Sequence, residues 1–212
     1  MPRADAAALR RAIVRACRRL DAKGLVAGAE GNVSARIGAG MLITPAGWVK
    51  AEVTAASLVD LRGSRGLRAA SSEWRMHRAI YDARPDVMAV VHAHPPVATG
   101  FAVAQVDLQI AGLAELAGAI GPVPRAPYRA PGSVELGAAV AAALADADAC
   151  LLANHGAVTV GRTVTEALSR MESLEQGARI LVTAHILGGV TELGRRDVLV
   201  LDASRRAARG SA

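Results

Sequence analysis

Leu9, Ile13, Cys17 and Leu20 recur at spacings of three and four between charged residues, and this pattern predicts an amphipathic helix over residues 5–22, closed by Gly24. The rhythm then changes. GAEGNVSARIG reads as a loop that opens into short β-like runs at 36–37, 41–44 and 57–61, separated by Gly and Pro. Ser71 and Ser72 stand where a helix needs an N-cap, so 73–83 reads as helix, with Trp74, His77 and Tyr81 on one face and Pro85 beyond its end. The apolar run 87–92 reads as a buried strand. After the HPP triplet, 95–104 reads as a helix and 108–110 as a short strand, and the stretch to Pro131 is rich in Gly and Pro. Residues 133–145 read as helix, 150–153 as strand and 158–160 as its hairpin partner. Thr163 and Glu166 make a capping-box pattern before a long helix to Gly188.

Hairpin-like passages break the regular alternation that a parallel sheet requires. The predicted fold class is therefore α/β, a three-layer α/β/α domain around a central, mainly antiparallel or mixed sheet. One domain is expected over 1–212, with the Arg-rich tail 195–212 frayed.

Composition narrows the function classes. The chain is 52% hydrophobic but only 2% aromatic, so its core is built from Ala, Val, Leu and Ile, and base-stacking platforms are excluded. The net charge of +6 comes from arginines spread along the chain and gathered in the tail, which gives no nucleic-acid stripe. Cys17 and Cys150 lie far apart without CxxC spacing and read as core residues in a reducing compartment. Charges interrupt the N-terminal segment and no stretch has the length of a membrane span, so a cytoplasmic protein with no membrane partner is expected.

The chemistry begins at VVHAHPP, where an apolar strand delivers His92 and His94 at i and i+2, on the same face. Two neutral imidazoles so placed suit a divalent cation, and two polar histidines beside a turn fit the same pattern. In LLANHGAV, His155 also follows an apolar strand and precedes a glycine; alone it is a hairpin-turn histidine. Together the three leave an open coordination position, as in catalytic zinc sites. His77 reads as a core residue, a support for a ligand or a ligand itself, and His185 as structural. Glu73 falls at a predicted helix start, which favours anions whether the residue caps the helix or does chemistry. Ser71 and Ser72 offer hydroxyls and amides to a phosphate there, and the loops holding Gly31 with Asn32, and Thr44 with Gly47, offer further backbone amides. Turn formation explains each loop equally well.

In this order, the segments GNVSAR, LITPAG, SSEWRMH, VVHAHPP, APYRAPGS and NHGAV resemble the class II aldolase/adducin family over about residues 5–190, most of all its L-fuculose-1-phosphate aldolase branch. The resemblance implies zinc, or another divalent transition metal, held by His92, His94 and His155, with Glu73 as acid/base able to approach the ion. It implies that Gly31, Asn32, Gly47, Ser71 and Ser72 hold the phosphate of a small sugar-phosphate substrate. It implies a homotetramer and a class II aldehyde-lyase cleaving a ketose 1-phosphate to dihydroxyacetone phosphate and an aldehyde through a metal-stabilised enediolate.

Three departures touch the aldehyde end. Ala46 stands where the branch places a hydroxyl residue, Leu113 where it places a tyrosine, and the C-terminal tyrosine has no counterpart, since Tyr81 and Tyr128 are the only tyrosines. The same site therefore also suits epimerisation, dehydration or decarboxylation of a sugar or sugar-acid phosphate. A non-enzymatic, adducin-like interaction module needs no metal set and is the remaining alternative.

Overall fold

The computed structural model describes residues 6–63 and 67–210. Helix α1 (Ala6–Ala22) leads into strands β1 (Asn32–Ile37), β2 (Gly40–Ile43) and β3 (Val59–Asp60). Then come α2 (Trp74–Ala83), β4 (Ala89–Ala93), α3 (Pro96–Ala104), α4 (Ala114–Ala119) and β5 (Arg125–Ala126). The chain ends with α5 (Val134–Ala143), β6 (Ala149–Leu152), β7 (Gly156–Gly161), α6 (Val164–Ile186) and α7 (Arg195–Gly210). The strands form one seven-stranded sheet in the order β3-β2-β1-β4-β7-β6-β5. All pairings are antiparallel except β5 with β6, so the sheet is mixed, as expected.

Side-chain alternation along the strands divides the apolar residues into two cores. Ala89, Val91 and Ala93 of β4 join Ile13 of α1, Phe101 of α3 and Met171 of α6 on one face. Val90 joins Ile80 of α2 and Val140 of α5 on the other. This is the three-layer α/β/α arrangement that the patterning predicts, and small side chains let the layers approach closely. No helix among the described residues is long and apolar enough to cross a membrane.

Four local expectations change. Strand β1 begins at Asn32 rather than at 36, because Asn32 and Ser34 are buried polar residues that interrupt the apolar signal of a strand while finding partners in α2. Residues 108–110 form no strand; a 3-10 turn, Ile110–Gly112, follows instead, and the sheet edge is taken by β5 pairing with β6. The Gly- and Pro-rich stretch contains α4, which the composition concealed. The tail is not frayed through Gly210: α7 packs on α4, and Arg205 is buried with its guanidinium 3.0 Å from Asp148.

The sheet register brings the start of β1, the end of β4 and the start of β7 together at one end of the central strands. Asn32 pairs with His92, and His92 pairs with Val158. Residues distant in sequence thus share one end of the molecule.

Candidate active site

His92 lies inside β4, His94 just past its end, and His155 in the turn between β6 and β7, where Asn154 takes the left-handed conformation at φ 56°. Their ring centroids are 4.9 to 5.0 Å apart with planes inclined at 66–67°, a nearly three-fold arrangement. One nitrogen from each can be chosen so that all lie within 4.8 Å of one another, and His92 Nε2 is 3.2 Å from His94 Nε2. Gly156 makes this possible, since a Cβ there would stand 2.6 Å from both Ala93 O and His94 Cδ2.

The ring orientations suit ligation. His92 Nδ1 donates to the Ala157 carbonyl at 2.9 Å, leaving Nε2 with its lone pair, and His94 Nδ1 is 3.1 Å from the Glu30 carboxylate. Burial, followed by the charge of His92, holds His94 below the ordinary histidine value and His155 at about 4, so both are neutral near pH 7. Burial alone would lower His92 as well, but the Glu73 carboxylate outweighs it and raises the value. A cation on the same nitrogen takes the place of that proton. Two buried polar atoms of this cluster, Glu73 Oε1 and His155 Nδ1, have no hydrogen-bond partner among the described residues. Three neutral nitrogens, no thiolate and an adjacent carboxylate fit a divalent transition metal with an open position.

Glu73 occupies the N-cap of α2 but does not cap it with its side chain. Its carboxylate turns toward these strand ends, where Oε2 accepts from Asn32 Nδ2 at 2.9 Å and stands 3.0 Å from His92 Nε2, and Oε1 lies 3.6 Å from His155 Nε2. Burial would raise its pKa, yet the charge and hydrogen bond of His92 and the bond from Asn32 hold the carboxyl well below the usual range. Plain helix capping therefore does not account for this residue.

The phosphate-loop residues lie around the same strand ends. Gly31, at φ 70°, packs where a Cβ would meet Val26 Cγ1 at 2.7 Å and His92 O at 2.8 Å, so no larger residue fits. Ser71 and Ser72 directly precede Glu73; the Ser71 amide donates to Thr44 O at 3.1 Å, which joins this turn to the loop holding Gly47. Asn32 is the exception, because its side-chain amide is committed to Glu73 and His77 and its backbone pairs with His92 in the sheet. An open cleft of about 500 Å³ beside Ser72 is lined by Ala46, Arg68, Arg75 and Gly132 among others. A larger cleft of about 870 Å³ runs along α6 and includes none of the histidines.

Sequence reasoning missed three supporting residues. Glu30 orients His94, as above. Lys50 is 1% exposed and donates to Ala29 O at 3.0 Å and Trp48 O at 2.6 Å, tying two of the phosphate loops together. Glu175 of α6 accepts from the amides of Val97 and Ala98 at 3.0 Å, capping α3 just after His94. No local pattern marks them, since each has a partner in a segment at least 21 residues away: His94 for Glu30, Ala29 for Lys50, and Val97 with Ala98 for Glu175. His77 is fully buried behind Asn32 and outside the histidine cluster, as a support rather than a ligand.

Comparison with known proteins places this geometry. Residues 11–182 match the family described as Class II Aldolase and Adducin N-terminal domain. The chain is 37% identical over 172 residues to a 5-methylthioribulose-1-phosphate/5-deoxyribulose-1-phosphate aldolase of Rhodospirillum rubrum, covering 80% of this chain and 78% of that protein. It is 35% identical over 199 residues to the L-fuculose phosphate aldolase of Escherichia coli, covering 91% and 92%. Among solved structures, an L-fuculose 1-phosphate aldolase superposes with a TM-score of 0.85 at 27% identity, covering 94% of this chain and 96% of that one. YgbL of Klebsiella pneumoniae, for which aldolase, epimerase and decarboxylase are offered as alternatives, gives 0.83 at 29% identity, covering 93% and 99%. A matching family over most of its length, relatives named as aldolases and strand ends that gather three histidines and a carboxylate lead to one conclusion: the chain belongs to the class II aldolase and adducin N-terminal domain family, as an enzyme of its aldehyde-lyase kind.

Proposed function

We propose that this chain is a zinc-dependent aldolase that cleaves a ketose 1-phosphate, of the L-fuculose 1-phosphate kind, to dihydroxyacetone phosphate and an aldehyde. The observation that carries the reading is a buried carboxylate, Glu73, 3.0 Å from a member of a three-histidine cluster, with one oxygen anchored by Asn32 and the other without a hydrogen bond among the described residues. In such a cleavage the C3–C4 bond breaks, its electron pair moves toward the carbonyl, and the C4 hydroxyl gives up its proton as the aldehyde forms. A divalent cation held by His92, His94 and His155 supplies a Lewis acid for the negative charge left on the substrate oxygens. Ala157 O and Glu30 keep the His92 and His94 rings turned so that their Nε2 atoms face that position. Glu73, a carboxylate at rest, takes up the proton that the C4 hydroxyl releases and delivers it to C3, using Oε1, since Oε2 is tied to Asn32.

The phosphate is held by amides and hydroxyls of Gly31, Gly47, Ser71 and Ser72, while Asn32, paired with His92 in the sheet, fixes where the Gly31 turn stands. Arg68 and Arg75, which line the adjoining cleft, favour an anion there. The reading extends to a homotetramer acting in the cytoplasm, as in the family that the chain resembles.

A second reading keeps the metal and Glu73 but ends in epimerisation or decarboxylation. Leu113 in place of a tyrosine and the buried, hydrogen-bonded hydroxyl of Tyr81 favour it, because neither serves the aldehyde end. The test is to incubate the zinc-loaded protein with L-fuculose 1-phosphate and with 5-deoxyribulose 1-phosphate and to follow dihydroxyacetone phosphate by a coupled reduction. The aldolase reading expects triose release that falls roughly 10²- to 10⁴-fold in Glu73→Gln. An epimeric sugar phosphate without triose, or carbon dioxide from a sugar-acid phosphate in a parallel incubation, would replace it by the second reading.

A further inference from the structure

Behind Glu73 a single file of buried polar groups crosses from β1 to α2. Asn32, Ser34, His77 and Tyr81 are each at most 3% exposed, in a layer otherwise filled by apolar side chains. Glu73 Oε2 is joined to Asn32 Nδ2 (2.9 Å), and Asn32 Oδ1 to His77 Nε2 (2.5 Å). His77 Nδ1 is joined to Ser34 Oγ (2.6 Å), and Ser34 Oγ to the Tyr81 hydroxyl (2.8 Å). The direction of every bond follows from its first member. A carboxylate only accepts, so Asn32 turns its NH₂ to Glu73 and its carbonyl to His77. A carbonyl has no hydrogen, so His77 Nε2 must carry the proton. Burial keeps the imidazole neutral, so Nδ1 accepts from the Ser34 hydroxyl, which in turn accepts from Tyr81. The opposite tautomer would require Asn32 to present its carbonyl to a carboxylate, a repulsive contact in a dry interior.

We propose that His77 is a positioning residue: backed by Ser34 and Tyr81, it locks the Asn32 amide so that Oε2 of Glu73 is the anchored oxygen and Oε1 the one that carries the proton. The inference rests on reading Glu73 as the acid/base, and it assigns His77 a task separate from metal ligation. A purely structural histidine in this network would hold the same tautomer and matter for turnover only through stability. A positioning histidine also changes turnover in a stably folded variant, because releasing the amide frees the carboxylate to rotate away from its working geometry.

The test uses the full-length, zinc-loaded protein labelled with ¹⁵N-histidine. His77 is expected as a neutral imidazole protonated on Nε2, unchanged between about pH 5.5 and about pH 8.5, where exposed histidines titrate. A resonance showing the Nδ1–H tautomer, or an imidazolium, overturns the inference whatever the enzyme's substrate. In triose release, His77→Leu should lower kcat roughly 10- to 100-fold with KM nearly unchanged. His77→Gln, whose amide can donate to Asn32 and accept from Ser34, should recover most of that loss. Equal kcat values in the two variants at equal zinc content and melting temperature, or a change confined to KM, would also overturn it. Tyr81→Phe keeps the ring, removes only the last donor, and should lower kcat by less than His77→Leu; if His77→Leu does not fold, an unchanged kcat in Tyr81→Phe overturns the proposal. Failure of the wild type to release triose from any ketose phosphate would instead fall on the functional reading, and the tautomer would still decide the direction of the hydrogen bonds.

Discussion

Glu73 and His77 show how one position can be ambiguous by type and definite in place. A glutamate in a first helical turn is ordinary capping chemistry. Here the carboxylate leaves the helix amides and meets Asn32 and His92, a choice made by strands that lie elsewhere in sequence. His77 has a consequence for stability. Burial, reinforced by the charge of His92, lowers its pKa from 6.5 to about 3, with Glu73 opposing. Between those values the unfolded chain binds a proton at this residue and the folded chain does not, so unfolding takes one up. The contribution is fully present above pH 6.5 and declines by about 1.4 kcal/mol per pH unit as acid is added, levelling off near pH 3. The groups packed around the ring, Asn32, Ser34 and Tyr81, do not titrate in this window. Urea unfolding of wild type and His77→Gln at about pH 7.5 and about pH 5 should therefore show the wild type losing more stability on acidification. Equal losses would refute the assignment.

At the scale of elements, α5 and α6 were readable from sequence because apolar runs and caps coincide. Thr163 caps α6 by accepting from Glu166 N at 3.1 Å, and Ser133 caps α5 from Leu136 N at 3.0 Å. Helix α3 is different. It begins at Pro96 with no side-chain cap of its own, and its first free amides are satisfied by Glu175, 77 to 78 residues later. Arg179 holds that carboxylate at 2.8 Å. The helix follows His94 directly, so its anchoring bears on the metal cluster. Glu175→Leu should cost about 2 kcal/mol, the desolvation of amides left without a partner. Zinc affinity, measured by competition with a chelator, should fall with it. Unchanged affinity alongside lost stability would separate α3 anchoring from His94 placement. Strand β1 was read short for a related reason: Asn32 and Ser34 look like loop residues until α2 supplies their partners.

Across the whole molecule, the end of the central strands opposite the active site is tied by charge. Asp148, 1% exposed, receives Arg205 of α7 at 3.0 Å, Arg170 of α6 at 3.3 Å and Arg84 at 3.6 Å. This cluster converts an Arg-rich tail into a packed helix. Asp148→Asn would leave buried guanidiniums short of a carboxylate, and the expected loss is about 3 kcal/mol, read from the urea midpoint, with α7 becoming sensitive to protease. An unchanged midpoint would mean that Asp86, Glu166 and Asp202, which bind the same arginines, suffice.

The linear chain by itself determined the layer architecture, because strand alternation and helix periodicity are local consequences of which side chains avoid water. It also determined the candidate ligands His92, His94 and His155 and the carboxylate Glu73, because imidazole and carboxylate chemistry is carried by residue type. Tertiary structure alone decided that these groups meet, that Asn32 faces Glu73 rather than a phosphate, that Lys50 and Glu175 brace loops they do not adjoin, and that the basic tail is a helix. The division has one physical cause: apolar burial leaves a periodic trace along the backbone, whereas a hydrogen bond or ion pair between distant segments leaves none until the sheet register brings them together.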